Sequence, residues 1–504
     1  MGRYVRVHHE VSYRDMVGGG DVFSMSSSQY VGLDIPNSNL WDVGDFLSRP
    51  LSRGDLGNEI GSDNYIRKSP FRFMRTKALQ SYSYLPVISD ETALPMMPDE
   101  FVDKNLKEGD LIISKDSNIG EIIILDKDYP ELMLSGALYR LPVCTGYKYY
   151  LLAFLKHDLF REQLDFMVPR GATIRHAKTM FLKCKIPMPK CKAEETIRFI
   201  ENLTRAIVAK EKAINGRHNE IMKLIDEELS KNQINKAPEY RYPSLSDIVD
   251  AGRMVAAIFD REYRDKLYRI INYKHGYSPL TEQNFILKPG PSLEMKLLGT
   301  RIDSNCHMEG FCRLITPAQI TNYGTLKFEQ YIGTPTFIPR IQYGDMLFGE
   351  SGTGRSMVYL DKDNNTINNA HAHILRPIEG RCSIEHVIFV RCVLQYYKES
   401  GMTDCITVGG AGGHLSPSYF DRVFIPNFSN EKQAEMASLY YKDEDIDSLA
   451  IAYDEETFMN HQQQFDSRAG IYDLDRAKRR LEKVLSDAIE NIIEDKPVNL
   501  QPKL

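Results

Sequence analysis

Cysteine is sparse and unpatterned in this chain: eight residues, at positions 144, 184, 191, 306, 312, 382, 392 and 405, without a CxxC pair. That spacing offers neither a zinc ligand set nor a disulfide framework, so the thiols are expected to be reduced and mostly buried, with no metal site. Long apolar runs are missing as well. No stretch approaches the roughly 18–20 apolar residues of a membrane span, and the opening MGRYVRVHHE has no apolar signal region, so a cytoplasmic protein with no membrane partner is expected. An excess of positive charge is also lacking: 63 Lys and Arg stand against 69 Asp and Glu, a formal net charge of −6. That balance argues against a protein that coats nucleic acid indiscriminately, because phosphate binding draws on clustered cations.

Catalytic signatures are absent in turn. The chain has no N/D-P-P-Y/F tetrapeptide of an amino-methyltransferase, and Asp103-Lys104 follows Pro98-Asp99 at the wrong spacing for a nuclease carboxylate-lysine cluster. Gly349 to Ser356, GESGTGRS, comes one residue from a P-loop, with Arg355 in the lysine position. A P-loop must open a helix, whereas MVYLD follows here and reads as a returning strand. GGAGGH at 409–414 lacks the third glycine of a dinucleotide fingerprint. Ser416-Pro417 after it reads as an N-cap and first helical turn.

What is present is a duplication. GDLIISKDSNIGEIIILDKD at 109–128 aligns without a gap on GDMLFGESGTGRSMVYLDKD at 344–363. Upstream, Phe71, Thr76 and Ala78 match Phe311, Thr316 and Ala318. Downstream, Gly171, Ala172, Phe181, Ile186 and Pro187 match Gly410, Ala411, Phe420, Ile425 and Pro426. The offset drifts only from 240 to 235 to 239, so the copies differ by short loop changes. At 504 residues with 42% hydrophobic and 26% charged residues, the chain is long enough for more than two domains, of ordinary soluble composition and with real cores. Two similar but unequal readers imply a bipartite, asymmetric ligand, and DNA is the natural candidate.

Charge clusters locally where it does not accumulate globally. Asn64–Gln80 carries Arg67, Lys68, Arg72, Arg75 and Lys77 with no acid, and Met167–Lys192 carries Arg170, Arg175, Lys178, Lys183, Lys185, Lys190 and Lys192 with His176. Residues 1–40, with GGG at 18–20 and SMSSS at 24–28, read as an irregular arm. YLPVI at 84–88, DLIIS at 110–114 and EIIIL at 121–125 read as strands. The last two form a hairpin around the exposed loop Lys115–Gly120, with Glu350–Arg355 as its counterpart. Matched frames with divergent tips suit loops that carry specificity.

Ile200, Ile207, Ile214 and Ile221 recur every seven residues, with Leu203 and Leu224 beside the first and last of them, which predicts a coiled-coil seam. Lys210 and Arg217 occupy seam positions between, and Asn215-Gly216 predicts a kink or polar break, since Gly costs about 1 kcal/mol in a helix. From Glu194 to Ser230 the rod would be about 55 Å long. Leu474, Ala477, Leu481, Val484, Ala488 and Ile492 mark a second stripe, so the two helices are expected to pair antiparallel and hold the readers at a set distance.

The order of GD-strand, Ser/Gly-containing hairpin loop, LDKD return, RGATIRH at 170–176 and KIPMPKCKAEETIRFIENLTRAI resembles the specificity subunit of type I restriction-modification enzymes across nearly all of the chain. The hairpin motif falls on Gly109, Asp110, Ser114, Ile119 and Gly120, and less well on Gly344, Asp345, Gly352 and Arg355. The proline-rich start of the helix falls on Ile186, Pro187, Met188, Pro189 and Glu194-Glu195, and on Ile425, Pro426 and Glu431–Gln433. The second copy lacks the second hairpin glycine, and residues 442–470 lengthen its helical region.

The resemblance implies an α+β protein of two mixed α/β target recognition domains in tandem, separated by long helices in an antiparallel coiled coil. Its spans would be an arm (1–40), reader one (41–190), spacer helix one (191–235), reader two (236–428), and spacer helix two with the tail (429–504). It implies a non-catalytic subunit that binds double-stranded DNA and recruits two methyltransferase and two restriction/translocase subunits. S-adenosylmethionine, ATP and Mg would belong to those partners, and this chain would hold no cofactor. Candidate DNA contacts are Arg72, Arg75, Lys115, Ser117, Asn118, Arg170, Thr173, Arg175 and His176 in copy one. In copy two they are Glu350, Ser351, Thr353, Arg355, His414 and Ser416. Ile200, Leu203, Ile207, Ile214, Ile221, Leu224, Leu474, Leu481, Ala488 and Ile492 are the candidate helix interface. A protein-binding adaptor, or a nucleotide hydrolase using 349–356, would be the alternatives.

Overall fold

A computed structural model describes residues 3–7, 10–13, 31–168, 177–234, 242–252, 255–350, 354–408, 413–445 and 454–501. They form an α+β protein of short strands and helices, the class expected. Two compact units divide the chain. The first comprises Met1–Lys212, Asp445–Ser467 and Arg476–Leu504, and the second Ala213–Glu444 and Arg468–Asp475.

Strands of the first unit are, in chain order, β1 (Val5–Val7), β2 (Val31–Leu33), β3 (Leu40–Asp42), β4 (Arg72–Met74), β5 (Ala93–Pro95), β6 (Leu111–Ser114), β7 (Ile122–Ile124), β8 (Leu132–Leu134), β9 (Leu138–Leu141) and β10 (Lys185–Pro187). The second unit carries β11 (Tyr277–Pro279), β12 (Phe285–Lys288), β13 (Ile302–Ser304), β14 (Cys312–Ile315), β15 (Tyr331–Gly333), β16 (Met346–Gly349), β17 (Ser356–Val358), β18 (Thr366–Asn368), β19 (Ala372–Pro377) and β20 (Phe424–Pro426). Three pairings recur in both. The sheet β7-β6-β9 matches β17-β16-β19, β5-β4-β8 matches β15-β14-β18 with its parallel β4·β8 or β14·β18 step, and β3·β10 matches β11·β20.

The run of isoleucines in the first hairpin follows from burial on both faces. Leu111, Ile113, Ile122 and Ile124 point into one core, and Ile112 and Ile123 into another. Alternation usually separates core from water, but here it separates two cores, so every position is apolar. The GD motif before the strand is a turn. Gly109 and Gly344 share φ +84, and the following carboxylate accepts the backbone N–H three residues upstream, Asp110 from Lys107 at 2.9 Å and Asp345 from Gln342 at 2.8 Å.

Register corrects the ungapped alignment. Leu111 faces Ile124, whereas Met346 faces Val358, so the second loop is one residue shorter and Leu125 corresponds to Tyr359 rather than Leu360. The shared LDKD letters are therefore one position out of step. Likewise Arg72 pairs with Leu132 and Arg313 with Thr366, which makes Arg75 the counterpart of Thr316. The downstream match of Ile186 to Ile425 and Pro187 to Pro426 holds in the strands β10 and β20.

The helix Ala193–Lys231 runs without interruption through Asn215-Gly216, and a side chain at Gly216 would meet nothing within 4 Å. Its residues to Lys212 belong to the first unit. There Ile200, Leu203 and Ile207 share a core with Leu481, Leu485, Ala488 and Ile492 of the final helix Ile471–Ile493. Each of these Leu and Ile side chains contributes roughly 1.5–3 kcal/mol on burial. The pairing is antiparallel: Lys190 meets Asp495 at 2.6 Å, and Glu211 meets Lys478 at 2.6 Å. The polar break falls at Lys210, fully buried and paired with Asp466 of the helix Phe458–Arg468 at 2.6 Å. Burial pushes the Lys210 pKa down and that of Asp466 up, each against the pull of its partner. Ile214, Ile221 and Leu474 are buried in the second unit, but Leu224 is half-exposed and Ile225 and Leu229 are buried instead. An α-helix drifts about 20° per heptad against a strict seven-residue repeat, and the seam moves by one residue.

Two further expectations differ. The described part of the N-terminal arm is docked, not irregular: β1 pairs with β2, Tyr4 is buried with its hydroxyl donating to Glu490, and Asn37 donates to the carbonyls of Met188 and Ile492. YLPVI is not a strand. Its first two amides donate to the Glu211 carboxylate, which takes the role of a neighbouring strand.

Candidate nucleic-acid interface

The first hairpin tip rests on the turn that follows β4. The Asn118 amide donates to the carbonyls of Thr76 and Leu79, both at 3.4 Å, while Lys115 bonds backbone-to-backbone with Ala137 and Ala177. Three separate segments therefore meet at the loop. Arg75, Lys77, Ser117, Asn118 and Lys178 are exposed there, and Ser117 holds the left-handed φ of +61, which few non-glycine residues adopt. Lys115 and Arg72 are engaged by the frame. Lys115 pairs with buried Asp116 at 2.6 Å, and Arg72 donates to Asp90 at 2.7 Å and to the Ala93 carbonyl. At the far end of the loop Glu121 pairs with Arg161 at 2.7 Å. Arg170, Thr173, Arg175 and His176 lie outside the described residues.

The carbonyls on the far side of this turn are tied down by Lys156, whose ammonium donates to Gln80 at 2.8 Å and Ser83 at 2.6 Å. Desolvation lowers its pKa to about 8. Glu211 accepts from Ser83, Tyr84 and Leu85 in the same loop. The exposed cations of the turn thus stand on a backbone fixed from beneath.

In the second copy the same backbone ladder recurs. Glu350 bonds to His371 and Leu415 as Lys115 does to Ala137 and Ala177, and Gly349 to Arg355 as Ser114 does to Glu121. Side chains at these positions are inverted in charge. Glu350 stands where Lys115 does, and Arg355 where Glu121 does. His373 Nε2 lies 3.4 Å from Glu350 without hydrogen-bond geometry, and neither ring nitrogen has a hydrogen-bond partner among the described residues. Lys327 donates to the Ala318 carbonyl at 2.8 Å, on the turn equivalent to Arg75–Ala78. Burial, then the neighbouring charge of Arg355, lowers its pKa to about 8. His414 is exposed, pairing its backbone with Val408, and Ser416 caps a short 3-10 turn, Pro417–Arg422. Ser351 and Thr353 lie outside the described residues.

Gly349 ends β16 and Ser356 begins β17, so no helix follows this segment to form a phosphate cradle, as expected from MVYLD. Among the described residues no group of three or more His, Cys, Asp or Glu is placed to hold a metal, and no helix is long and apolar enough to cross a membrane. Three residues near the tips were not singled out from sequence. Lys77 and Lys178 stood within the basic runs and could have been, whereas Lys327 is an isolated cation that reaches Arg355 only through the fold.

No protein-family model and no curated protein matches the chain. Among solved structures it is similar to the S subunit of a type I restriction-modification system from M. genitalium, at 12% identity over 94% of this chain and 97% of that one, TM-score 0.36. It is also similar to the HsdS subunit from Thermoanaerobacter tengcongensis, at 13% identity over 91% and 97%, TM-score 0.26. At such low identities and TM-scores the functional reading rests on the chain's own residues.

Proposed function

We propose that this chain is the DNA-recognition subunit of a type I restriction-modification assembly, reading a bipartite asymmetric site with one copy of the repeat on each half. The observation that carries this reading is a hairpin held by the same backbone ladder in both copies, with charges inverted at both ends of the loop. Cations beside each tip, exposed in copy one and half-buried in copy two, would set register on phosphates, and polar tip residues would meet base edges. In copy one these are Arg75, Lys77 and Lys178, with Ser117 and Asn118. In copy two they are Arg355 and Lys327, with His414. The chain performs no chemistry in this reading. Two methyltransferase subunits would carry S-adenosylmethionine and flip adenine, and two restriction/translocase subunits would carry ATP and Mg.

Co-expression with the methyltransferase, followed by genome-wide mapping of methylated adenines, tests it. A single split motif with a fixed gap is expected, and exchange of Lys115–Asn118 or of Glu350–Arg355 should change one half only. A stable complex that yields no motif overturns the reading in favour of a protein-binding adaptor.

A further inference from the structure

Lys156 and Arg391 reach the same turn in the two copies from the same side of the fold. Lys156 ends the helix Lys148–Lys156, which follows β9, and Arg391 lies within the helix Ile384–Glu399, which follows β19. By strand register the turn residues Gln80–Ser83 correspond to Thr321–Gly324. The Lys156 ammonium donates to the carbonyls of Gln80 at 2.8 Å and Ser83 at 2.6 Å. The Arg391 guanidinium, fully buried, donates to the carbonyl of Asn322 at 2.7 Å and, through Nε, to that of Ser356 at 3.2 Å. Each cation also lies over a tyrosine ring, Tyr84 at 5.6 Å and Tyr440 at 5.2 Å. Packing beneath the second turn is tight, since an added side-chain carbon at Gly324 would come within 2.9 Å of the guanidinium.

Main-chain carbonyls are there whatever the side chains, so a helix that grips them through a cation fixes backbone position and leaves the exposed residues free to vary. The gripped segments are those that carry the candidate contacts. Thr76 and Leu79, just before Gln80, accept from Asn118 at the first tip, and Ser356 directly follows Arg355 at the second. We infer that Lys156 and Arg391 are the positioning residues of the two readers, each holding its turn and hairpin tip in the geometry that discriminates bases in its own half-site. Neither side chain touches DNA. This rests on the DNA-recognition reading and deepens it, because specificity is then set in part by one buried cation behind each tip.

The experiment is methylated-adenine mapping with the full chain and its methyltransferase, comparing sites that carry one mismatch in either half of the motif. Lys156→Met keeps an unbranched stem and removes the ammonium, and Arg391→Lys replaces a planar fork that meets two carbonyls with a single point donor. Lys156→Met should raise methylation of one-mismatch sites about tenfold in one half only, and Arg391→Lys should do so in the other half only. Lys156→Arg, which keeps charge and donors, should restore discrimination in the first half. Variants that melt at a lower temperature yet keep the original motif in both halves would assign the two cations a structural role and overturn the inference. Relaxation of both halves together by a single substitution, or loss of all methylation, also overturns it, and in each of these cases the motif of the unsubstituted chain leaves DNA recognition standing. Absence of any motif with the unsubstituted chain removes the DNA reading and the inference with it.

Discussion

At the base of the first hairpin Lys115 pairs with Asp116 and Glu121 with Arg161, whereas the same backbone positions of the second carry Glu350 and Arg355. The ladder bonds around these residues are common to both: 114 to 121 and 349 to 355, 115 to 137 and 350 to 371, 115 to 177 and 350 to 415. Placement of the tips is thus set by main-chain groups that every residue type possesses, and the side chains there can change sign without disturbing it. Cations shift accordingly. Copy one presents Arg75 and Lys77 on the turn after β4, while copy two has Thr316 and Ala318 there and draws its charge from Lys327 and Arg355. In the proposed reading, a duplicated scaffold that keeps its frame and exchanges its charges would suit two unlike half-sites better than two identical ones.

The GD turn is where the copies share sequence and differ in energetics, and it gives the largest expected effect. Asp345 is buried and grips Arg376 through two hydrogen bonds of 2.8 and 2.6 Å, whereas Asp110 is partly exposed and reaches Arg140 only at 3.5 Å. Asp345→Ala should therefore cost about 3–5 kcal/mol by leaving a half-buried guanidinium uncompensated. Asp110→Ala should cost about 1 kcal/mol, chiefly the lost turn bond. Urea denaturation of the two variants measures the difference, and equal losses would mean that the ion pairs contribute nothing. The glycines before them should behave alike. Both have φ +84, so Gly109→Ala and Gly344→Ala should each cost about 1–2 kcal/mol. A Cβ at Gly109 meets only the flexible end of Lys148 and one at Gly344 only ordinary contacts, so backbone strain is the shared cause. Unequal values would show that the turns are not equivalent.

Much of this was legible in the chain because it depends on local chemistry. Apolar β-branched runs flanking a polar loop gave the hairpins, and the downstream Ile-Pro match fell on β10 and β20 in step. Other features depend on partners distant in sequence. YLPVI has a strand's composition, but its amides bond to Glu211, more than a hundred residues away. The GGG-containing arm gave no sign that Tyr4 would bond to Glu490. Letter identity misled in the LDKD segment, where pairing register fixes equivalence and the shorter second loop shifts it by one. Lys210 was visible as a seam interruption, but only the fold supplies Asp466 to make its burial tolerable. Lys327 gave no signal at all, since its neighbour Arg355 lies 28 positions on.

The smallest effect concerns that pair and separates the copies by pH. Burial and then Arg355 lower the Lys327 pKa to about 8, from an ordinary 10.5. Between those values the folded chain has released a proton that the unfolded chain retains, so this group makes stability rise with pH across the window. In the proposed reading, a DNA phosphate beside Lys327 reverses the preference by favouring the charged ammonium. Duplex affinity through copy two should then be full below about pH 8 and fall as pH rises through it, by about fivefold at 0.15 M salt, the worth of one phosphate contact. Arg355→Gln removes the second cause of the lowered pKa and should move what remains of the fall to higher pH. Fluorescence anisotropy with a duplex titrated from about pH 7 to 9.5 measures both curves. A flat profile for the unsubstituted chain would show that Lys327 does not bear on DNA, and the charge difference between the copies would then lie with Arg355 alone.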